Sequence, residues 1–572
     1  MAGSQDWTAF LYGSMDPRNA ITVDKPPMSI WIMALSVRLF GLSSWSILLP
    51  QAFMGIATVF LLHSLVRPRF GAAAALLAAT LMAVTPVSTV MFRYNNPDAL
   101  LILIMVAIAF TSLKAVDERR LGWLMLAGAL VGAGFLTKQL QIGLVVPAIV
   151  ITYLCFARVT LPRRLLHLSV AGLAASLVAG PWLLLVQLAD PANRPFIGGS
   201  RNNSAMELAM GYNGVDRLTG ADAIGTITSP GAAMADKMDV GFQRFFLPQF
   251  SGQFAWFLPF AIIGMLIAIW HIRKRRQVTR KHGLVMFASI WLLTTAFVLA
   301  FMSGIVHPYY SLTAVPPLSA LAAFALVHCS KRLGVAKFRV LCSVGMVAYL
   351  LVSTITASRS TADFPWLPGA IAIVGGLTVS LLVVPAPNRF VSSVTSSALV
   401  CTLLLCPLLW SIQSAAYPHV GANVIAGPSI LGIRGDHPNP AFRYPDVPAS
   451  LTAVGLGDPP QPGVLHRIQA IHDSVTWPAA TVGAESAANL QLASGRAILS
   501  LGGFYGTDPY PTLERFQQLV AEGRIGSLTL QNLPPLTLEG HGEAARIIEW
   551  VRSHYNAEII NGAELYELNA PR

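Results

Sequence analysis

The sequence predicts an all-α polytopic membrane domain followed by a small α/β domain outside the membrane. Three observations carry that prediction. The 572 residues are 54% hydrophobic and only 12% charged, with a mean hydropathy of +0.59, whereas soluble domains carry about 25% charged residues. Apolar runs of membrane-crossing length recur from residue 43 to residue 415. Beyond that point Gly, Pro and polar residues rise, and short β-like runs begin to alternate with helical patterns.

Residues 1–42 read as a loop on the outer face with an interfacial helix. The stretch 28–42 is apolar but short, carries Arg38 and precedes Gly41. As a full span it would invert every later loop against its charge. About 20 apolar residues suffice to cross the hydrocarbon, and twelve later segments qualify: 43–66, 71–91, 98–115, 121–137, 140–157, 165–189, 253–272, 283–303, 309–329, 337–357, 366–384 and 393–415.

Alternate connections between these spans are basic: Arg67 and Arg69; Lys114, Arg119 and Arg120; Arg158, Arg163 and Arg164; Arg273-Lys274-Arg275-Arg276 with Arg280 and Lys281. Lys331, Arg332, Lys337, Arg339 and Arg389 continue the series. Positive charge retained on the cytoplasmic side orients the spans. The N-terminal loop, the loop 190–252 and everything after about residue 416 then face outward, and this parity holds through all twelve spans. An outward N-terminus without a signal sequence implies either that this short tail translocates unaided or that an upstream helix precedes this chain, and the helix is the expectation.

The expected domains are therefore 1–42, a membrane core over 43–415, a linker over 416–462 and an outward α/β domain over 463–572. In the last of these, Ala497-Ile498-Leu499-Ser500-Leu501 and Ser527-Leu528-Thr529-Leu530 read as strands, and 511–522 and 541–554 as helices. The net charge of +12 lies in short interspan connections, which argues against a nucleic-acid partner. Cys155, Cys329, Cys342, Cys401 and Cys406 all lie in or beside apolar segments. The long polar stretches thus have neither a disulfide framework nor a zinc-thiolate site.

Two acidic motifs stand at the outward ends of spans. Asp24-Lys25-Pro26-Pro27 joins an acid and a cation to two prolines that delay the following helix. The carboxylate can serve as a general base or a metal ligand, and the lysine can neutralise a phosphate. An ion pair capping an interfacial helix accounts for the same residues. Asp98 opens a span, where an acid is an ordinary partner of the helix dipole. Arg93, Tyr94, Asn95 and Asn96 beside it make a larger polar cluster than a cap requires. His307-Pro308-Tyr309-Tyr310 heads another span at the same face, as phosphate or sugar contacts or as an aromatic belt. Lys138 is a phosphate contact or a snorkelling lysine. Arg194, Arg201-Asn202-Asn203 and Gly211-Tyr212-Asn213-Gly214 on the long loop are sugar-binding groups or a simple series of turns, the turns being the default reading.

Taken together, Asp24-Lys25-Pro26-Pro27 leading to Trp31, Asn96-Pro97-Asp98-Ala99-Leu100, Leu136-Thr137-Lys138 and the segment from His307 to Pro317 resemble glycosyltransferase family 39. These GT-C membrane enzymes are related to protein O-mannosyltransferases and to the aminoarabinose transferases of lipid A. Arg201-Asn202-Asn203-Ser204, Gly211-Tyr212-Asn213-Gly214, Gly502-Gly503-Phe504 and Asp508-Pro509 are similar to an actinobacterial and Bacillus-type subgroup. The resemblance implies transfer of a sugar from a polyprenyl-phosphate donor to an envelope acceptor (protein, lipid or cell-wall polymer), with inversion at the anomeric carbon. It implies that Lys25 contacts the donor phosphate, that Asp24 orients the acceptor or a divalent metal, and that Asp98 lines the same cavity. Family members have a first helix and an acidic motif ahead of the point where Met1 falls.

The expected catalytic residues are Asp24 and Asp98, with Lys25, Arg93, Asn96, Lys138, Arg201, His307 and Tyr310 on the donor phosphate and sugar. The rival classes are a secondary transporter or lipid flippase and a non-catalytic scaffold. Transporters place ionisable residues at mid-membrane in paired repeats; here the charges gather at one face and no repeat is evident.

Overall fold

In the computed structural model, residues 1–220, 240–274, 280–359, 363–385, 388–419, 421–422, 424–428, 453 and 455–568 are described. Most of the expected linker 416–462, and Arg275 and Arg276 of the basic run, lie outside these residues. Among the described residues, nine helical stretches are long and apolar enough to cross a membrane: Ser44–Phe70, Asp98–Glu118, Leu121–Phe156, Leu161–Leu188, Pro248–Trp270, Arg280–Phe301, Pro308–Ser330, Ala336–Ser358 and Phe390–Ala416. Three shorter apolar helices, Met28–Phe40, Ala72–Ala83 and Leu367–Val383, accompany them.

The sequence reading and the structure differ at three of the expected spans. The segment 71–91 is two helices, Ala72–Ala83 and Pro86–Met91, because Pro86 lacks an amide hydrogen and drives Thr85 into extended backbone at φ −71°, ψ 123°. The segments 121–137 and 140–157 form one continuous helical stretch with a break at Gln139, whose φ is +45°. The helix Leu121–Lys138 ends there, a short 3-10 run follows over Gln139–Val145, and Ile142 folds back onto Gly134. That break leaves Lys138 at the tip of the bend.

Close helix approach depends on glycines facing backbone. A Cβ on Gly128 would lie 2.0 Å from the Ala171 carbonyl oxygen, and one on Gly132 would lie 2.4 Å from that of Ala175. The helices Leu121–Lys138 and Leu161–Leu188 therefore pack backbone against backbone through a small-xxx-small pair. On the side read as cytoplasmic, Arg69 is buried and donates to Asp117 at 2.6 Å and to the Leu65 carbonyl at 2.8 Å, with Arg280 3.7 Å from the same carboxylate. Three helix ends are tied by that one acid.

The C-terminal part is a small α/β domain built on a five-stranded sheet: β1 (Ala479–Val482), β2 (Ile498–Leu501), β3 (Ser527–Leu530), β4 (Ala557–Ile560) and β5 (Ala563–Glu567), in the order β2-β1-β3-β5-β4. β1 pairs in parallel with β2 and β3, while β5 runs antiparallel to β3 and β4. The three parallel strands are buried on both faces, as crossover helices require. Leu490, Val464 and Ile468 cover one face, and Phe516, Leu519, Ile547 and Val551 the other.

This domain is docked on the N-terminal loop. Trp477 donates from its indole nitrogen to buried Asp16 at 3.1 Å, Gln491 donates to the Met15 carbonyl at 3.0 Å, and Tyr510 stacks on Phe196 at 5.2 Å. Asp16 also accepts from the amides of Arg18 and Ala20, so burial of its carboxyl is compensated.

Candidate active site

The loop bearing Asp24 and Lys25 is fixed before it can bind anything. Thr22 donates from its amide to the Phe196 carbonyl at 2.8 Å, and its hydroxyl accepts from Gly198 at 3.0 Å. A Cβ on Gly198 would lie 2.2 Å from the Thr22 carbonyl oxygen, so only glycine permits this approach. Asn213 donates to the Asp24 carbonyl at 2.7 Å. Pro26 and Pro27 then hold the chain out of helix until Met28.

Asp24 and Lys25 form an ion pair at 2.8 Å, with side chains 17% and 23% exposed. The Lys25 ammonium lies 5.1 Å from the centre of the Tyr212 ring. Burial lowers the Lys25 ammonium to about 8, partly offset by Asp24 and reinforced by Arg217 and Lys138. Burial tends to raise the Asp24 carboxyl, but Lys25, Arg217 and the Tyr212 hydroxyl hold it below its ordinary value.

The second pair is deeper. Asp98 is fully buried at the start of the helix Asp98–Glu118, and its Oδ2 accepts from Lys138 at 2.5 Å. Asn96 accepts from the Asp98 amide at 3.0 Å, satisfying a helix-terminal donor. Lys138 stands 4.5 Å from the Tyr310 ring centre and 5.3 Å from that of Tyr309, and His307 stacks on Tyr309 at 4.9 Å. The Asp98 Oδ1 atom is buried without a hydrogen-bond partner.

Arg217 stands beside the first pair and was not singled out from the sequence. It lies on the short helix Asp216–Thr219, which is stitched to Ser303 and Gly304 by backbone hydrogen bonds just before His307. Its guanidinium lies 4.6 Å from the Tyr212 ring centre, and its Nε donates to the Tyr212 carbonyl at 3.0 Å. Three cations, Lys25, Lys138 and Arg217, thus gather around tyrosine rings and two carboxylates. A lone arginine in a long loop carries no sequence signal for this; the contact with Gly304 brings it in.

The structure brings together Asp24, Lys25, Asn96, Asp98, Lys138, His307 and Tyr310. It does not bring Arg93 or Arg201 to them: Arg93 is exposed and donates to the Ala415 carbonyl at 3.0 Å, while Arg201 is exposed on a turn whose amides bond to Glu207. Two further groups arrive from the C-terminal domain. Tyr505 packs against Ile305 and Tyr212, and Asp508 accepts from the Gly199 amide at 2.8 Å. Among the described residues no group of three or more His, Cys, Asp and Glu side chains could hold a metal, and the Asp24 carboxylate is engaged by Lys25.

Comparison with known proteins follows this geometry. Residues 24–184 match the family described as dolichyl-phosphate-mannose-protein mannosyltransferase, and residues 464–554 match the one described as "Putative mannosyltransferase YkcB-like, C-terminal". The chain is similar to two proteins of Bacillus subtilis (strain 168). It is 28% identical to "Putative mannosyltransferase YycA" over 96% of this chain and 88% of that one, and 26% identical to "Putative mannosyltransferase YkcB" over 96% and 86%. Among solved structures, the fold resembles that of ArnT from Cupriavidus metallidurans bound to undecaprenyl phosphate. The TM-score is 0.53 at 17% identity, covering 100% of this chain and 94% of that one.

Proposed function

We propose that this chain, a multi-pass GT-C membrane glycosyltransferase of the family-39 type, transfers a sugar from a polyprenyl-phosphate donor to an envelope acceptor on the outer face of the membrane, with inversion. The observation that carries the proposal is the gathering of Lys25, Lys138 and Arg217 at the ends of apolar helices. A lipid-linked phosphate has its tail among such helices and its charge at their ends.

When the bond between the anomeric carbon and the phosphate oxygen breaks, negative charge grows on the phosphate. Cations fixed in a site of restricted water stabilise that charge without reorganising. Lys25 is the most accessible of the buried cations and is assigned the donor phosphate. Lys138, held by Asp98 and flanked by Tyr309 and Tyr310, sets the deeper wall. Asp24 orients the acceptor hydroxyl and fixes Lys25; Asp98 lines the cavity, with Asn96, His307 and Tyr310 toward the sugar. Were Asp24 to hold a divalent metal instead, it would first have to leave Lys25.

The test is incubation of the full chain in proteoliposomes with a panel of synthetic polyprenyl-phosphate sugars and an alkyl glycoside acceptor. Product of inverted anomeric configuration, with stoichiometric release of polyprenyl phosphate, is expected. No release from any donor in the panel would contradict the proposal.

A further inference from the structure

We propose that Asp508, which the C-terminal domain delivers to the Gly198-Gly199 turn beside Asp24, receives the proton of the acceptor hydroxyl. The inference rests on the glycosyltransferase reading above and extends it to a domain that reading leaves without chemistry.

The carboxylate is placed by a built contact. Asp508 Oδ2 accepts from the Gly199 amide at 2.8 Å. Gly199 itself touches the site, since a Cβ there would lie 3.1 Å from Asp24 Cβ and 3.4 Å from Tyr212 Cδ1, and its φ is +77°. Space for the carboxylate exists because position 503 is glycine: a Cβ on Gly503 would lie 2.0 Å from Asp508 Oδ2. The loop is braced from behind, with Asp508 donating from its amide to the Gly502 carbonyl at 2.9 Å and Gly502 donating to that of Tyr510 at 2.9 Å. Tyr505 of the same loop packs against Tyr212, and Gly199 lies against both Tyr212 and Asp24.

Two other acids of the site are already engaged by cations. Asp24 and Asp98 are each bound to a lysine, at 2.8 and 2.5 Å. Among the described residues neither Asp508 nor Glu485 has such an ion pair, and of the two it is Asp508 that is hydrogen-bonded to the Gly199 turn beside Asp24. The charged and titratable groups facing this corner are Asp24 and Lys25 from the N-terminal loop, Tyr212 and Arg217 from the long loop, Glu485 from the helix Ala484–Ser494, and Tyr505. Burial, with Asp24 adding to it against the Gly199 hydrogen bond, raises the Asp508 carboxyl to about 7. A base of that strength is matched to hydroxyl activation near neutral pH.

The step balances. The acceptor O–H proton passes to the Asp508 carboxylate as the acceptor oxygen bonds to the anomeric carbon. The bond from that carbon to the phosphate oxygen breaks, and polyprenyl phosphate leaves with the electron pair. The proton on Asp508 then returns to water.

The experiment compares the full chain with its Asp508→Asn, Asp508→Glu and Glu485→Gln variants in proteoliposomes, using polyprenyl-phosphate mannose and octyl mannoside across pH 5–9, with polyprenyl-phosphate binding measured separately. Transfer by Asp508→Asn is expected to fall about 10²–10⁴-fold with lipid-phosphate binding unchanged. Asp508→Glu is expected to recover part of the rate with a displaced acid limb. Wild-type rate and acid limb in Asp508→Asn would overturn the inference, as would an acid limb that disappears only in Glu485→Gln. Loss of lipid-phosphate binding in both Asp508 variants would reduce Asp508 to a docking residue. Failure of the wild-type chain to bind polyprenyl phosphate would instead remove the glycosyltransferase reading on which the inference rests.

Discussion

Lys25 and Lys138 carry the same charge but differ in burial, so their substitutions are expected to act differently. Lys25 is 23% exposed beside Asp24, so Lys25→Met removes a cation that a ligand can reach. Transfer should fall about 10²–10³-fold, the range for losing one transition-state donor, with little change in unfolding temperature. Lys138→Met strands Asp98, which is fully buried with one oxygen already unmet. Stability should drop by about 3–5 kcal/mol, seen as a lower thermal midpoint in detergent. The pH profile follows from the same residues. A Lys25 ammonium lowered to about 8 by burial must be protonated to meet phosphate, while an Asp508 carboxyl raised to about 7 must be ionised to accept a proton. Activity should therefore rise with pH through about 7 and fall above about 8, and Lys25→Arg should push the alkaline limb upward. Asp24, Lys25, Asp98 and Lys138 were legible in the sequence because they stand in polar and proline-bearing motifs at the ends of apolar runs opposite the basic connections. Arg217 and Tyr505 were not, since only tertiary contacts with Gly304 and Ile305 bring them in.

Helix-level architecture was readable where periodicity and charge agreed, and was missed where local chemistry was subtler. The twelve segments were found by length, but the break at Pro86 and the turn at Gln139 were not, the second because positive φ at a glutamine has no sequence signature. In the C-terminal domain, β2 and β3 were read from their β-branched and leucine runs. β1, Ala479–Val482, was missed because two of its four residues are alanine. The hairpin of β4 and β5 had a signal that was passed over: Asn561 and Gly562 take φ of +48° and +85°, the geometry of a two-residue turn favouring Asn-Gly. Two predictions belong to this scale. Gly128→Leu should separate the helices Leu121–Lys138 and Leu161–Leu188, because its side chain meets the Ala171 carbonyl; a loss of about 1–3 kcal/mol or more is expected by thermal unfolding. Asp117→Asn should leave Arg69 without its counter-charge among three helix ends and lower the thermal midpoint by more than replacement of an exposed acid such as Glu558 does.

The whole molecule is a membrane-embedded helical body, and the end that carries Asp24, Lys25, Asp98 and Lys138 is covered by an α/β domain. The cover is held by Asp16 to Trp477 and by Asp508 to Gly199, so a bulky acceptor must meet the site at the seam between the two. Trp477→Phe removes the indole donor and leaves the buried Asp16 carboxylate with one partner fewer. Hydrogen exchange over residues 14–22 should speed up in that variant, with transfer reduced less than in Lys25→Met. The central claim is that this end of the molecule breaks a sugar–phosphate bond through its gathered cations. The direct measurement is transfer of labelled sugar from polyprenyl-phosphate donors in proteoliposomes by the wild-type chain and by Lys25→Met at equal protein incorporation. Transfer by the first and its near-complete loss in the second is the predicted result; equal transfer by both would contradict the assignment of Lys25 to the donor phosphate.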